Sequence, residues 1–210
     1  MKKFLSLTIF ILGVSFALQA KTFELDKAHS SVNFKIRHLL SSVNGRFKDF
    51  KGSFEVDEKT GDLISLEGTI VAASIDTDNG DRDKHLRSAD FFNADADGFK
   101  ELKFVSDKVA IKKGTSGKLP GKMTIHGVTK PVVFNVEFAG EAKDPWGNEK
   151  SAFTAKIDKL NRKDFGLNWN KALEAGGVLV GDEVAIELNV EGNLKAAEAK
   201  DAKAPSTKKK

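Results

Sequence analysis

The residues best placed to do chemistry lie in Asp81-Arg82-Asp83-Lys84-His85-Leu86-Arg87-Ser88-Ala89-Asp90, which runs straight into Phe91-Phe92. An imidazole preceded by carboxylates offers general acid–base work. His85 with Asp83 or Asp81 would suit a hydrolase or lyase acting on a small apolar substrate. The stretch carries two other readings. A charged helical turn near residues 81–88, beside aromatics, caps the mouth of an apolar pocket, with His85 at the head of a ligand. Alternatively, Arg82 and Arg87 dock a membrane partner on an interaction module whose core is filled. In the pocket reading, His85 and the arginines either touch the ligand or pin the turn in place, and pinning is favoured.

Other motifs fail on their own chemistry. Asn93-Ala94-Asp95-Ala96-Asp97-Gly98 opens like a calcium loop, but its twelfth position is Phe104 where a bidentate Glu is needed. In Asp76-Thr77-Asp78-Asn79-Gly80 the Gly comes one residue early and the twelfth position is Arg87, so both segments read as Asx turns. Gly114-Thr115-Ser116-Gly117-Lys118 lacks the spacing and the Ser/Thr of a phosphate loop, and no Gly-x-Ser-x-Gly elbow occurs. His29, His38, His85 and His126 show no metal-pair spacing, so no metal site is expected. His38 shares a strand face with Phe34 and Ile36. It is either a core-edge histidine satisfied by a carbonyl or a polar tip for the head of a greasy ligand. His126, beside Gly127, reads as structural.

The elements that must hold these residues are strands. Val32, Phe34, Ile36 and His38 alternate with polar neighbours, as do Phe50, Phe54 and Val56, then Phe153, Ala155 and Ile157, then Val184 to Val190. Asn44-Gly45, Thr60-Gly61-Asp62 and Lys113 to Gly117 read as turns. Leu63 to Ile75 reads as one long strand. Leu102, Phe104, Val109 and Ile111 read as a strand whose face flips at a bulge. Leu119–Ile125 and Val132–Phe138 pair across His126 to Pro131. Eight to ten antiparallel strands make an all-β chain, either an up-and-down barrel or a sandwich. The 16 Phe with no Tyr suit an apolar interior, which is a plain core or a ligand pocket.

Composition narrows the class. Lys2 and Lys3 precede the apolar run Phe4–Leu18, which is too short to span a bilayer and ends in small residues. Residues 1–20 therefore read as a signal peptide cleaved after Ala20, which places the mature protein in the periplasm. Cysteine is absent, so packing alone must hold the fold. The net charge of +4 comes from the two ends. Between them acidic residues slightly outnumber basic ones, so no nucleic-acid partner is expected. Residues 193–210 read as a disordered Lys/Ala-rich tail whose Lys208-Lys209-Lys210 could brush an anionic membrane.

Several segments together resemble the YceI family of exported lipid-binding proteins. They are Asp26 to Ser30 leading into Val32-Asn33-Phe34, Gly45 to Gly52, Ser74 to Thr77 with Arg82 to Phe92, Gly121 to Val132, Asp144-Pro145-Trp146-Gly147 and Arg162 to Gly166. They fall in family order over roughly residues 22–192. Two departures are the absence of Tyr-Pro after Phe92 and the Lys-rich tail. The resemblance implies an extended lipocalin-like antiparallel β-barrel over residues 21–192. It implies a non-catalytic role, no cofactor, and as cargo an amphiphilic lipid, typically an isoprenoid chain such as a quinone tail. Transient membrane contact fits such a role, and monomer and dimer both stay open. Strand alternation then nominates Phe34, Ile36, Phe54, Phe104, Ile125, Phe134 and Val136 as lining residues, with His38 and His85 as polar contacts.

Overall fold

The computed structural model describes residues 19–174 and 176–196. Residues 1–18 of the expected signal peptide and 197–210 of the expected tail lie outside the described residues. The elements in chain order are β1 (Ala20–Leu25), β2 (Ser31–His38), β3 (Ser41–Phe47), β4 (Phe50–Asp57), β5 (Leu63–Val71), β6 (Ile75–Asp76), α1 (Gly80–Arg87), β7 (Glu101–Ser106), β8 (Thr115–Ile125), β9 (Val128–Lys143), β10 (Glu149–Asn161) and β11 (Val180–Leu194). Two 3-10 turns, Ala72–Ser74 and Arg162–Phe165, interrupt them.

The closing pair decides between barrel and sandwich. β1 joins β11 through Phe23↔Leu194, so β1-β4-β5-β7-β8-β9-β10-β11 form a closed ring of eight antiparallel strands. Closure leaves no open edge around that ring. One wall is then prolonged past the ring by three further strands. β2 continues along β11 (Val32↔Leu188), β3 along β2 (Val32↔Phe47), and β6 along β3 (Phe47↔Ile75). This makes the barrel an extended, lipocalin-like one, with α1 the single α-helix among the described residues.

One end is solid. Phe54 stacks on Phe23 with ring centroids 5.4 Å apart and meets Phe153 edge-on at 5.1 Å. Phe138, Leu119, Val56 and Val136 fill the rest of that plug and are fully buried.

Several expected boundaries shift for physical reasons. Asn44-Gly45 is not a turn but lies within β3, where Gly45 lets the Phe34 ring lie flat on the backbone. A Cβ there would sit 2.2 Å from Phe34 Cζ. The actual β2–β3 turn is Leu39-Leu40. The long strand from Leu63 breaks into β5, a 3-10 turn and β6, which lets the wall bend toward α1. No bulged strand joins Phe104 to Ile111. β7 ends at Ser106, and Ile111 instead bridges Leu63. The Lys113–Gly117 turn is shorter than expected because β8 already begins at Thr115. The β8–β9 connection is only His126-Gly127, both with positive φ (49° and 73°), and Pro131 sits inside β9. β11 runs to Leu194, two residues past the expected boundary at 192.

The prolonged wall is clamped electrostatically. Arg46 Nη2 and Lys48 Nζ each lie 2.7 Å from Asp76 Oδ2, tying β3 to β6. The Lys48 hydrogen bond first, with Asp78 N–H and Arg46, holds the Asp76 carboxyl down at about 2. A depressed carboxylate contributes stability above its unfolded pKa, and that contribution disappears as pH falls through the folded value. Asp76→Asn should therefore be less stable than wild type at neutral pH. The gap should close as pH drops from about 4 toward about 2. Denaturation midpoints across that window check it.

Candidate ligand cavity

Past the plug the interior opens into a cavity of about 530 Å³, within the usual range for small-molecule sites. Its floor carries the edge-to-face pair Phe104 and Phe134, 5.0 Å between centroids, with Met123 and Ile125 beside it. The side walls come from the inward positions of β2 (Val32, Phe34, Ile36) and of β11 (Val184, Ile186, Leu188, Val190). Those positions alternate with Lys35, Arg37, Glu183 and Glu187, which face out because successive strand side chains point to opposite faces. Phe34 tilts against Phe47 at 5.7 Å, and Phe47 meets Phe92 edge-on at 5.9 Å, which carries the aromatic wall up to the mouth.

Apart from Ser31, Asn33, Lys51, Thr69 and Lys103 on the strands, the polar groups of the lining gather at that mouth. Asn79 caps α1 by accepting from Arg82 N–H at 3.0 Å. The buried Asp83 carboxylate accepts from Thr77 N–H at 2.9 Å and from Thr77 Oγ1 at 2.5 Å. Arg82 returns two donors to the same residue, Nε to Thr77 Oγ1 and Nη2 to the Thr77 carbonyl, both 2.8 Å. Arg87 reaches the Ile75 carbonyl at 3.3 Å. The helix is thus pinned to β6 by its own charged groups, while Arg82, Asp81 and His85 border the cavity. His85 is wedged between Trp169 (4.9 Å) and Phe91 (5.1 Å), edge-on to both.

A second buried charge holds the opposite rim. Arg162, 4% exposed, donates Nε to the Gly181 carbonyl at 2.9 Å and Nη1 to the Leu167 carbonyl, with Asp182 3.5 Å from Nη2. Burial pulls its guanidinium pKa below the ordinary value, and Asp182 opposes that shift. Gly166 ends this turn in the left-handed region (φ 78°), directing Leu167 and Trp169 over the mouth.

The nominated residues separate by depth. Phe34, Ile36, His38, His85, Phe104, Ile125 and Phe134 border the cavity. Phe54 and Val136 do not, since both lie in the plug on the inward face of their strands. Of the two acid–base pairs drawn from sequence, the one with Asp83 is not formed, while Asp81 borders the cavity together with His85. His85 Nε2 meets Asp90 Oδ2 at 2.9 Å on the solvent side, and Asp83 is spent on Thr77. His126 is structural, stacked on Phe99 at 4.5 Å. Asp26, His29 and Glu191 converge, but the Lys150 ammonium sits 3.1 Å from each carboxylate and already pairs with both.

A closed antiparallel ring with a bent, prolonged wall over one apolar cavity is a specific combination. The YceI-like domain model matches residues 23–192. The chain belongs to the YceI-like family.

A UPF0312 protein of Vibrio cholerae is 37% identical over 87% of this chain and 92% of its own length. One from Photorhabdus laumondii is 42% identical over 75% and 81%. Among solved structures, the YceI protein of Campylobacter jejuni is 35% identical with a TM-score of 0.65, covering 82% of this chain and 97% of its own. A Saccharophagus degradans domain described as polyisoprenoid-binding, and implicated in plant cell wall breakdown, shares the fold at 14% identity. Its TM-score is 0.57, covering 85% and 100%.

This YceI-like cavity uses residues that the alternation pattern alone did not nominate. Phe47, Phe92, Arg162, Leu167, Trp169 and the β11 series Val184 to Val190 all border it. Alternation on β11 was plain in the sequence and could have found its members. Trp169 sits in an irregular segment, and nothing in the local pattern marks it.

Proposed function

We propose that the protein is an exported, non-enzymatic carrier that holds a long isoprenoid-like amphiphile, with the chain in the barrel and the polar head at the mouth. The observation that carries this is the segregation of the cavity. Its walls are predominantly Phe, Ile, Leu and Val, and its mouth carries Asp81, Arg82 and His85 on α1 with Arg162 on the opposite rim. Burying each methylene contributes about 0.8 kcal/mol, so ten methylene equivalents contribute about 8 kcal/mol before the cost of immobilisation. Apolar contact alone then accounts for tight retention, and the rim selects the head. His38, His85, Arg82 and Trp169 are the groups that meet it. A bound quinone satisfies both requirements.

The shared fold with a polyisoprenoid-binding domain supports this reading. The basic and apolar N-terminus supports export to the periplasm, with cleavage after Ala20. That cut would remove only the first pairing residue of β1, Ala20↔Asp57. Native mass spectrometry of protein taken from its own periplasm tests the proposal. It should show one bound lipid, released by organic solvent and identified as isoprenoid. Repeated recovery of empty protein would refute it.

A further inference from the structure

The β2–β3 hairpin ends in an arrangement that folding does not call for. Its two-residue turn is Leu39-Leu40, where Asn or Gly would be usual. Leu39 is held in the left-handed region at φ 51°, a conformation that leucine disfavours. Leu40 is 97% exposed, Leu39 42%, and Val178 36%, so the strain gains no burial. Leu39 N–H bonds the Leu179 carbonyl at 2.8 Å, which fixes this apolar tip against the 178–180 segment. The strands behind the tip form the cavity rim, since His38, Val43, Leu179 and Val180 all border it.

Along β2 and β3 the charge has one sign, and the acids of the neighbouring β11 segment are already paired, Asp182 with Arg162 and Lys163, and Glu183 with Lys159. Residues 27–48 contain no Asp or Glu but include Lys27, Lys35, Arg37, Arg46 and Lys48. Three of these are neutralised, Lys27 by Asp49 and Arg46 and Lys48 by Asp76. Lys35 and Arg37, on the outer face of β2, form no ion pair among the described residues, and Arg37 Nη1 bonds the Leu39 carbonyl at 3.1 Å. Lys171 stands on the adjacent loop with Glu174 as the nearby acid.

We propose that Leu39-Leu40 is a membrane-docking tip. The leucines enter the acyl region of an anionic bilayer, Lys35, Arg37 and Lys171 meet the lipid headgroups, and the cavity mouth is brought to the membrane surface. Apolar residues beside basic ones are the combination that interfacial binding uses. The inference rests on the lipid-carrier reading for its purpose, and it supplies the route by which cargo enters without crossing water.

The test uses the mature full chain and vesicles of phosphatidylcholine containing about a third phosphatidylglycerol, with pure phosphatidylcholine as the comparison. Wild type should float with the anionic vesicles. The double variant Leu39→Asn, Leu40→Ser puts a residue that tolerates the left-handed region at 39, so it should be at least as heat-stable, yet it should partition at least tenfold more weakly. Lys35→Glu with Arg37→Glu should lose the preference for anionic vesicles. Because the chain has no cysteine, a polarity-sensitive dye on Ser42→Cys should report transfer to an apolar medium on vesicle addition. Equal flotation of wild type and the Leu variant, or no flotation of wild type, would overturn docking. A fluorescent isoprenoid delivered from micelles separates the two readings. Uptake by both proteins with flotation lost only in the variant supports docking. Uptake by neither overturns the carrier reading, and flotation still decides docking.

Discussion

Replacing Arg162 with alanine should lower stability by about 3–4 kcal/mol, a fall in Tm on the order of 10 °C. The guanidinium is 4% exposed and serves the Gly181 and Leu167 carbonyls at once, so its removal orphans both acceptors in a buried place. Each such orphan costs about 1–3 kcal/mol, and the void left by the side chain adds to that. Methionine should restore packing and recover only part of the loss, since it offers no donor. Lysine should also fall short, because a single ammonium cannot reproduce the planar fork. Circular dichroism melts of the three variants decide the matter. A loss below about 1 kcal/mol for alanine would mean that water reaches these carbonyls. The same variants should release cargo faster, since the Arg162 turn carries Leu167 and Trp169 to the mouth.

The second large effect concerns cargo rather than fold. Leu188 lies midway along β11, faces the cavity and stands opposite Val32. Leu188→Trp should place an indole in existing empty space, so stability should hold or rise, while retained lipid should fall at least tenfold. Overpacking a filled core usually costs about 1–3 kcal/mol. A marked loss of stability in Leu188→Trp would therefore show that the site is already filled. Lipid extracted per mole of protein, measured beside thermal melts, separates the two outcomes.

How far the sequence revealed this molecule depended on what each signal encodes. Alternation on β2, β10 and β11 reports which face is inward, and it placed Phe34, Ile36 and His38 correctly on the inner wall. It carries no information about depth along the barrel axis. Phe34 and Phe54 share the same pattern, yet one borders the cavity and the other stacks on Phe23 in the plug. Turn chemistry misled in two places. Asn44-Gly45 has hairpin composition but serves ring packing, and Leu39-Leu40 has none yet makes the turn. The pairing of Asp83 with Thr77, and of His85 with Asp90, depends on how α1 seats against β6. Spacing within the helix does not determine that.

The seam between β1 and β11 also governs when the structure can come into being. Phe23 pairs with Leu194, and Lys195 N–H bonds the Thr22 carbonyl at 2.8 Å, so the first strand of the ring waits for the last. Without β11 the ring has two unpaired borders, β1 and β10. Contacts between such distant parts of a chain are slow to form. The ring therefore closes only once β11 is available to β1, while the mouth beside α1 stays open.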